Sequence, residues 1–503
     1  MTVPLLEVPA TVSEPTSRAI CGGRRFRDTP ARGQLWTEAR SIDDLVGPHD
    51  QVRAISDIID LLDVSEFEAG YSGGGAPAYP PRYVLKLIFF GLVIGVRSGH
   101  ELARRCENDK RFMWLAGGEP LDHELFTDFR KRFREPLKGL FRQTVLLGVE
   151  AGLITMRQLS IDGTKIAAHA KRKTLSRKEI AQLVAKLDRR IEELLDEADS
   201  LDAAEEAEGS RRRAVEIPAE LADAQRRRER LLEAQAVLAA RDWERVSETD
   251  LEAPLQKTQD GKRPGYNGQA AVDADSGMLV AVELTDAQND TQQLPPTLDA
   301  AVANTGFKPD VVAADTGYQS QGALQHLEQE RINGYINQAA AESDGRFGHD
   351  DFTYDNERDW YICPAGHELQ FKGFKDLRYD KCRVYRASIR CCKQCPQRAQ
   401  CLSERAKCRQ LVLAPHGELV TAMRRKLETE EGQAALKRRF GTVEPMFGTL
   451  KAVVGLRQFL TVGKANAEAE LTLAAMAINL RKLMKWLCSD GDPEQLGRVP
   501  AAA

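Results

Sequence analysis

Three acidic residues, far apart along the chain, have sequence surroundings that suit the binding of divalent metal ions. Asp162 closes an apolar run that begins after Arg157, and Asp315 closes the run Val311–Ala314. Glu444 stands near the start of a predicted helix. Phosphodiester cleavage is well served by two divalent cations about 3.5–4 Å apart. Magnesium needs only two or three carboxylates because it keeps several waters. The three acids therefore predict metal-dependent phosphodiester chemistry.

Each acid taken alone also has a purely structural interpretation. Asp162 is followed by glycine, an ordinary turn dipeptide, and Asp315 could simply end a strand. Glu444 could stabilise the N-terminus of a helix through the helix dipole. The chemical interpretation therefore rests on the three acids in combination with the residues around them.

The elements around the acids indicate a mixed α/β domain assembled from distant segments. Apolar residues at 159–161 and 165–166 flank Asp162, which predicts a strand that ends at this aspartate. Residues 266–284 form two apolar runs around an Asp-Ser-Gly turn, which predicts a hairpin. Residues 442–485 are predicted to be helical. Strands followed by helices, with a helical insertion between them, fit an α/β fold with a mixed sheet.

The N-terminal third of the sequence predicts an arm followed by small helices. Residues 1–40 have few periodic apolar positions and are expected to be loosely ordered. Residues 41–152 predict short helices separated by glycine and proline breaks. Over residues 81–145 there are 13 Lys and Arg against 8 Asp and Glu. Small helices with a basic excess are typical of DNA-binding domains, although a helical packing or dimerisation domain would have the same pattern.

Residues 176–248 are predicted to form an antiparallel helical hairpin inserted into the α/β domain. Gly209 and Ser210 interrupt its apolar pattern, and Pro218 suits the first turn of a second helix. The first helix shows the alternating spacings of four and three that define a heptad pattern, at Ile180, Val184, Leu187, Ile191, Leu194, Ala198 and Leu201. We interpret this insertion as architectural.

A Cys-rich insertion is predicted at 343–411, because seven of the ten cysteines lie between positions 363 and 408. Cys392 and Cys395 have the spacing of one half of a tetrahedral zinc site, and Cys363 and Cys401 could complete it. Four protein ligands would leave no open position, so such a zinc ion would be structural. Competing ligands are Cys382, Cys391, Cys408 and His367, and reduced packing cysteines are the alternative. Residues 363–411 carry 12 Lys and Arg against 4 Asp and Glu, which suits contact with phosphates.

Several blocks of the sequence resemble the DDE transposases of bacterial insertion sequences. The blocks are residues 80–134, which include Leu121-Asp-His-Glu-Leu-Phe126, residues 265–273, Asn289-Asp290, Val443-Glu444, Phe447-Gly448, Lys451 and residues 455–459. The resemblance implies a ribonuclease H-like catalytic domain at 153–485, followed by a tail at 486–503. It implies that Asp162, Asp315 and Glu444 form a catalytic triad that binds two Mg²⁺ or Mn²⁺ ions.

The same resemblance implies a substrate and a reaction. The enzyme would bind double-stranded DNA at the terminal inverted repeats of an insertion sequence and cleave it there. It would then join the 3′-hydroxyl to target DNA. Two DNA ends must be brought together, so a homodimer is expected in the DNA complex.

Six basic residues are expected to contact DNA, namely Lys451, Arg439, Arg457, Arg130, Lys131 and Arg132. Lys451 follows Glu444 by seven residues, about two helical turns, and would share its helix face. One branch of the family has a tyrosine and an arginine ahead of the glutamate and a lysine seven residues after it. This chain keeps the lysine, but it has Lys437 and Phe440 at the two earlier positions.

The sequence suits a soluble, intracellular protein, and the resemblance implies a bacterial cytoplasm with association to the nucleoid. The N-terminus lacks a basic start followed by an apolar stretch. The most apolar segment, at 83–96, is shorter than the roughly 20 residues of a membrane span and contains Lys86, so no membrane partner is expected. The net charge of −4 indicates no particular partner. Two alternatives are a zinc-containing DNA-binding regulator without catalysis and a domesticated metal-dependent endonuclease.

Overall fold

The computed structural model describes residues 20–21, 24–25, 41–71, 77–205, 213–258, 261–338, 346–377, 380–413 and 417–489. Most of the expected arm at 1–40 therefore lies outside the described residues. Within the arm, β1 (Ile20–Cys21) pairs antiparallel with β2 (Arg24–Arg25). The expected tail is described only as far as residue 489, where the last helix ends.

The N-terminal region is helical, as its sequence predicts. Its helices are α1 (Gln51–Leu61), α2 (Ser65–Ala69), α3 (Pro81–Val93), α4 (Gly99–Asn108), α5 (Lys110–Leu115), α6 (His123–Arg132) and α7 (Arg134–Glu150). A 3₁₀ turn at Ile42–Leu45 precedes α1, so the apolar stretch at 42–64 is not one helix. Helix α3 begins with Pro81, whose missing N–H costs nothing at the first helical position. The apolar faces of α1, α3 and α7 pack against the last helix of the chain.

The middle of the chain forms a six-stranded mixed sheet with an inserted hairpin. Its elements are β3 (Gln158–Ala167), β4 (Leu175–Ser176), α8 (Arg177–Glu205), α9 (Arg213–Ala240), β5 (Arg245–Val246), β6 (Leu255–Thr258), β7 (Gly261–Asp273), β8 (Leu279–Thr285), α10 (Leu294–Thr305), β9 (Val311–Ala314), α11 (Gln321–Gln329) and β10 (Asn333–Ile336). The sheet order is β10-β9-β3-β7-β6, with β8 also paired to β7. Strands β10, β9 and β3 are parallel, whereas β7 is antiparallel to β3, β6 and β8. This mixed sheet with helices is consistent with the ribonuclease H-like fold that the resemblance implies.

Strand β3 corrects the expectation that Asp162 ends a strand. The strand continues through Asp162 to Ala167, and Asp162 lies opposite Ala270 of β7. The Asp-Gly dipeptide stays extended because the ladder with β7 is unbroken on both sides of it. The predicted hairpin around the Asp275 turn is present as β7 and β8.

The inserted hairpin has the antiparallel arrangement that the heptad pattern predicts. Arg228 of α9 bonds Asp188 of α8, and Arg190 of α8 bonds Glu220 of α9. These pairs run in opposite directions along the two helices. The expected start near Pro218 is wrong, because α9 begins at Arg213. The two-stranded pair of β4 and β5 closes the base of the hairpin.

The Cys-rich insertion is a separate five-stranded antiparallel sheet. Its elements are β11 (Thr353–Asp355), β12 (Trp360–Ile362), β13 (Glu368–Leu377), β14 (Asp380–Ala387), α12 (Ile389–Lys393), α13 (Arg398–Cys401) and β15 (Gln410–Leu413). The strands pair in chain order. The sheet encloses a small apolar cluster of its own, which includes Leu369, Tyr385 and Leu411.

Three helices complete the chain, namely α14 (Gly417–Glu428), α15 (Glu430–Ala452) and α16 (Lys464–Ser489). Glu444 lies well inside α15 rather than near its start, because the helix begins at Glu430 and continues through Pro445. One large apolar cluster extends from the N-terminal helices through the six-stranded sheet to α16. No helix in the described ranges combines the length and the apolar character needed to cross a membrane.

Candidate active site

Asp162 lies at the centre of the six-stranded sheet, on the side that faces α15. The N–H of Gly163 donates a hydrogen bond of 2.8 Å to its Oδ1. Burial raises the pKa of Asp162 above its usual value, whereas Arg439 and the Gly163 N–H oppose that rise and nearby Asp315 adds to it. The strand thus holds a carboxylate whose negative charge needs a cation close by.

Asp315 follows β9, the parallel neighbour of β3, as the sequence predicts. The N–H of Thr316 donates a hydrogen bond of 2.7 Å to its Oδ1. The same face of the sheet therefore presents two carboxylates, each with one oxygen fixed by the N–H of the next residue. Adjacent parallel strands bring these two acids together although 153 positions separate them in the sequence.

Arg439 of α15 links the two aspartates. Its Nη1 donates to Asp162 Oδ2 at 3.0 Å, and its Nη2 lies 3.9 Å from Asp315 Oδ1. The guanidinium also lies over the ring of Phe440, 4.6 Å from the ring centre. The Arg439 side chain is only 4% exposed. Arg439, which the sequence analysis expects to contact DNA, therefore faces the two acids in this structure.

The structure does not bring Glu444 into the same cluster. Glu444 is exposed on α15. Within the described residues, no three His, Cys, Asp or Glu side chains are arranged so that they could hold a metal ion. Of the three acids that were expected to lie together, only Asp162 and Asp315 do so in this structure. The role of Glu444 stays a prediction.

Lys451 lies near Asp162, and Arg457 contacts Lys451. Lys451 is half-buried; burial and nearby Arg457 lower its pKa, while Asp162 raises it. Arg457 is exposed, and its Nε donates to the carbonyl of Lys451 at 3.2 Å. The N–H of Phe459 donates to the carbonyl of Ala167 at 2.9 Å, which ties this loop to the end of β3. Two predicted DNA contacts thus flank the acidic site.

A buried polar network next to the site was not predicted. Asp290 Oδ1 accepts hydrogen bonds from Asn267 (2.6 Å) and Gln269 (2.7 Å) of β7, and Lys165 Nζ lies 3.7 Å away. The Tyr318 hydroxyl, in the turn after Asp315, donates to Gln269. The alternation of Asn267 and Gln269 with small residues in β7 is the sequence signal that marks this polar face.

Gly163 makes room for this network directly behind Asp162. A Cβ atom at Gly163 would lie 2.8 Å from Asp290 Oδ1 and 2.7 Å from Gln269 Nε2. The network therefore packs against the backbone that follows Asp162, and it holds the turn that follows Asp315 through Tyr318. It can position both aspartates without contacting a substrate.

The three basic residues at the end of α6 differ in their availability for DNA. Arg130 is half-buried; its Nη1 donates to the carbonyl of Arg97 at 2.7 Å, and burial lowers its pKa to about 10. Arg132 lies over the ring of Tyr71. Lys131 is exposed, 3.7 Å from Asp128. The expectation of a DNA contact is therefore corrected for Arg130, whose guanidinium serves an internal contact.

Arg97, the partner of Arg130, connects the N-terminal helices to the C-terminal part of the chain. Its guanidinium donates to the carbonyl of Gly455 at 2.7 Å and pairs with Glu470 of α16 at 2.6 Å. Both side chains are largely buried, at 13% and 8% exposed. The helical region is thereby joined to the loop that carries Arg457.

The four cysteines expected to bind zinc line one small cavity of the insertion. The cavity, of about 20 Å³, is lined by Cys363, Cys392, Cys395, Cys401 and His367 among others. Burial raises the pKa of Cys392 and Cys401, and the other thiols add to the rise. The N–H of Arg409 donates to Cys392 Sγ at 3.5 Å, and the N–H of His367 donates to Cys363 Sγ at 3.3 Å. The thiols are neighbours, but in this structure they do not form a metal-binding group.

The fold and the paired aspartates place the chain in the class of mixed α/β proteins with a ribonuclease H-like architecture. Comparison with protein families gives two matches. A transposase DDE domain matches residues 362–484, and a transposase domain (DUF772) matches residues 40–132. No curated protein and no solved structure matches the chain.

Both matched regions are transposase domains, and the fold is consistent with them, which indicates a DDE-type insertion-sequence transposase. The resemblance in the sequence is thereby confirmed. Transposases act on DNA, and the DDE domain supports an enzyme of DNA transposition in general terms. The DDE match includes Glu444 and Lys451, whereas Asp162 and Asp315 lie outside both matched ranges.

Proposed function

We propose that this transposase binds the terminal inverted repeats of an insertion sequence, cleaves the DNA there with divalent metal ions, and joins the 3′-hydroxyl to target DNA. The observation that supports the proposal most strongly is the convergence of Asp162 and Asp315 on the guanidinium of Arg439. Two carboxylates from adjacent strands thus share one buried cation. A purely structural role would not require two acids at one point.

The residues at this point suit a hard divalent cation. Carboxylate oxygens are the ligands that Mg²⁺ and Mn²⁺ prefer. One oxygen of each aspartate is oriented by a backbone N–H, which fixes the donors on a rigid sheet. The positively charged guanidinium of Arg439 already lies between the two carboxylates. Bound metal would supply activation of water or a 3′-hydroxyl and stabilisation of the leaving oxygen.

The other residues of the site have roles that follow from their positions. Asp162 and Asp315 would hold the metal, and Glu444 is proposed as the third acid because α15 carries it between Arg439 and Lys451. Lys451 and Arg457 are cations at the edge of the site, and they would hold a DNA phosphate near the acids. The Asp290 network would keep the two aspartates in place.

The test is cleavage of cloned element ends in Mg²⁺ or Mn²⁺, with every nick mapped to the nucleotide. The variants are Asp162→Asn, Asp315→Asn and Glu444→Gln, and each should reduce nicking by at least about 10³-fold. DNA binding should be retained, because each change removes a negative charge. Asp310→Asn is the matched control, since Asp310 is exposed just before β9.

The outcomes separate the competing functions. Normal nicking by any of the three variants would remove that residue from the site. Binding of the ends without nicking in either metal would favour a DNA-binding regulator. Nicking that does not depend on the element ends would favour a general endonuclease. A dimer is expected when two ends are bound, and light scattering of the complex measures it.

We further propose a structural zinc ion in the Cys-rich insertion, held by Cys363, Cys392, Cys395 and Cys401. Thiolates are the ligands that structural zinc sites use. The backbone N–H groups directed at two of the sulfurs suit thiolates, because such donors stabilise negative charge on sulfur. The bound ion would hold the helices α12 and α13 against the turn between β12 and β13.

Zinc content tests this second proposal independently of activity. Protein purified without chelators should contain about one zinc per chain by elemental mass spectrometry. Cys395→Ser should lose it, whereas Cys488→Ser, at an exposed position on α16, should keep it. Zinc-free wild-type protein with an intact insertion would show that the cysteines serve packing alone.

A further inference from the structure

An open groove lies against α15, and it is not lined by Arg439, the residue of this helix that contacts the aspartates. It has a volume of about 670 Å³, is open to solvent, and runs between α15, α16 and the turn that joins β7 to β8. Pro445 lines it, directly after Glu444 in the sequence. The groove and the candidate active site therefore share helix α15.

The charge of the groove is strongly positive. Arg481, Lys482 and Lys485 of α16 line it, and Asp275 is its one acidic lining residue. Asp275 already pairs with Arg438 and, at 3.3 Å, with Arg157. Its negative charge is thus balanced by residues other than the three cations of α16.

Lys482 and Lys485 have no acidic partner within ion-pair distance among the described residues. They are three positions apart on one helix, which puts both amines on the same face. Partial burial and the charge of Lys485 lower the pKa of Lys482, which agrees with two cations held close together. Like charges held together without a counter-ion destabilise a fold unless an anion binds them.

Gly277 gives Lys482 its position at the floor of the groove. A Cβ atom at Gly277 would lie 3.0 Å from Lys482 Nζ, and the φ angle of Gly277 is +67°. The turn therefore uses a left-handed conformation that glycine adopts readily. Arg481, in contrast, donates to the carbonyl of Val93 at 2.5 Å and braces α16 against the N-terminal helices.

We propose that this groove binds the phosphate backbone of the duplex that flanks the cleaved position, through Lys482 and Lys485. The proposal rests on the proposed function, because it takes DNA as the substrate. An open groove with two lysines suits a continuous chain of phosphates, since lysine acts as a point charge. A duplex held at the acids can reach the groove by extending a few base pairs.

The experiment is a salt titration of DNA binding, measured by fluorescence anisotropy with a duplex that contains one element end and its flank. Each lost phosphate contact lowers the slope of log K against log salt by about 0.9 for duplex DNA. Lys482→Gln with Lys485→Gln should therefore lower the slope by about 1.8 and weaken binding at low salt. The double variant Lys482→Arg with Lys485→Arg keeps both positive charges. It should therefore have the slope and the low-salt affinity of the wild type.

The control variant removes the same charge elsewhere. Lys178 and Lys186 are exposed on the hairpin helix α8, and Lys178→Gln with Lys186→Gln should leave the slope within about 0.3 of wild type, well below one contact. Thermal unfolding confirms that both double variants are folded. None of the four lysines belongs to the buried core, so their replacement is compatible with folding.

The outcomes distinguish this proposal from the proposed function. An unchanged slope in the Lys482 and Lys485 variant, with wild-type nicking intact, would overturn the groove proposal alone. A wild-type protein that binds no element end would overturn the proposed function. If inorganic phosphate stabilises the wild type but not the variant, while the DNA slope stays the same, the groove is a small-anion site and the proposal is wrong.

Discussion

The two large sheets of this transposase are stabilised in different ways. The six-stranded sheet contributes to an apolar cluster that also includes the N-terminal helices and α16, and its central strands are buried. The five-stranded sheet of the insertion has a cluster of seven buried residues. On the insertion, aromatic side chains such as Phe374, 59% exposed, remain at the surface.

The difference explains where each sheet places its polar groups. The six-stranded sheet can hold the buried guanidinium of Arg439 between two partly exposed carboxylates, because packing on both faces fixes the strands. The insertion has too little apolar volume to order itself by packing alone. It adds a charged centre, in which Asp359 accepts hydrogen bonds from Tyr354 and Tyr385 and pairs with Arg383, and it gathers its cysteines at one end.

The largest effect on stability should come from the core of the six-stranded sheet. Phe459 is fully buried, with its ring edge-on to Tyr266 at 6.1 Å between ring centres. Phe459→Ala should lower the free energy of unfolding by about 3–5 kcal/mol, because it leaves a cavity at the end of β3. Urea unfolding followed by circular dichroism measures the change.

The neighbouring residue supplies the control for this prediction. Leu460 is 45% exposed, so Leu460→Ala should change stability by less than about 0.5 kcal/mol. A cost below about 1 kcal/mol for Phe459→Ala would contradict the claim that apolar packing stabilises this sheet.

A matching change in the insertion should act locally. Leu369 of β13 is fully buried, and Leu369→Ala should cost about 2–5 kcal/mol of local stability. Hydrogen exchange should accelerate in β11 to β15 and stay unchanged in β3 and β7. Ile362→Ala, at a 36% exposed position, is the control. Equal acceleration in both sheets would show that they unfold together.

Removal of the cation between the aspartates should have a smaller effect. Arg439→Gln leaves the buried charge of Asp162 without its partner, which should cost roughly 2–3 kcal/mol of unfolding free energy. Asp162→Asn combined with Arg439→Gln should recover part of this loss, since neither charge is then left alone. Arg438→Gln is the control, because Arg438 is 43% exposed. Unfolding in denaturant measures all three.

This deficit should also depend on pH. Arg439 opposes a rise in the pKa of Asp162, so the variant has a still higher folded-state pKa than the wild type. A raised aspartate pKa means that the folded state binds the proton more tightly than the unfolded state, so stability falls as pH rises above the unfolded value. The cost of Arg439→Gln should therefore be smaller near about pH 4 than near about pH 7.5. An equal loss of unfolding free energy at both pH values would show that the unpaired carboxylate of Asp162 is not the cause of the loss.

The smallest effect should come from the charged centre of the insertion. The Tyr385 hydroxyl donates to Asp359 at 2.6 Å and the ring is buried, so Tyr385→Phe should cost about 1.5 kcal/mol. Tyr354 donates to the same oxygen at 2.8 Å but is 41% exposed, so Tyr354→Phe should cost less. Hydrogen-exchange rates within β14 measure both effects. A larger effect for Tyr354→Phe than for Tyr385→Phe would contradict the prediction that the buried hydroxyl contributes more.

Patterns that are local in the sequence predicted their elements well. The heptad spacing of α8 and the turn between β7 and β8 are decided by neighbouring residues. The position of Asp162 inside a strand was not predictable in this way, because the strand continues only where residues 265–273 pair with it. Glu444 was assigned to a helix start, yet the preceding residues extend the helix by about four turns.

The parts of the site that the sequence did not reveal depend on distant partners. Arg439 was expected to contact DNA, and only the approach of two aspartates from other segments makes its burial favourable. The Asp290 network joins four segments of the chain. Aspartate and glutamine are common enough that no local signal separates such a network from ordinary surface polarity.

The contact of Arg97 with Glu470 and Gly455 has a consequence for recombination between this gene and related genes. A crossover between two related genes at the junction near residue 152 would give a hybrid in which Glu470 has lost a largely buried counter-charge and α16 faces unfamiliar helices. Such hybrids should be eliminated unless both sides of the contact are exchanged together. The N-terminal helical region and the C-terminal part of the chain are therefore expected to be inherited as a single unit.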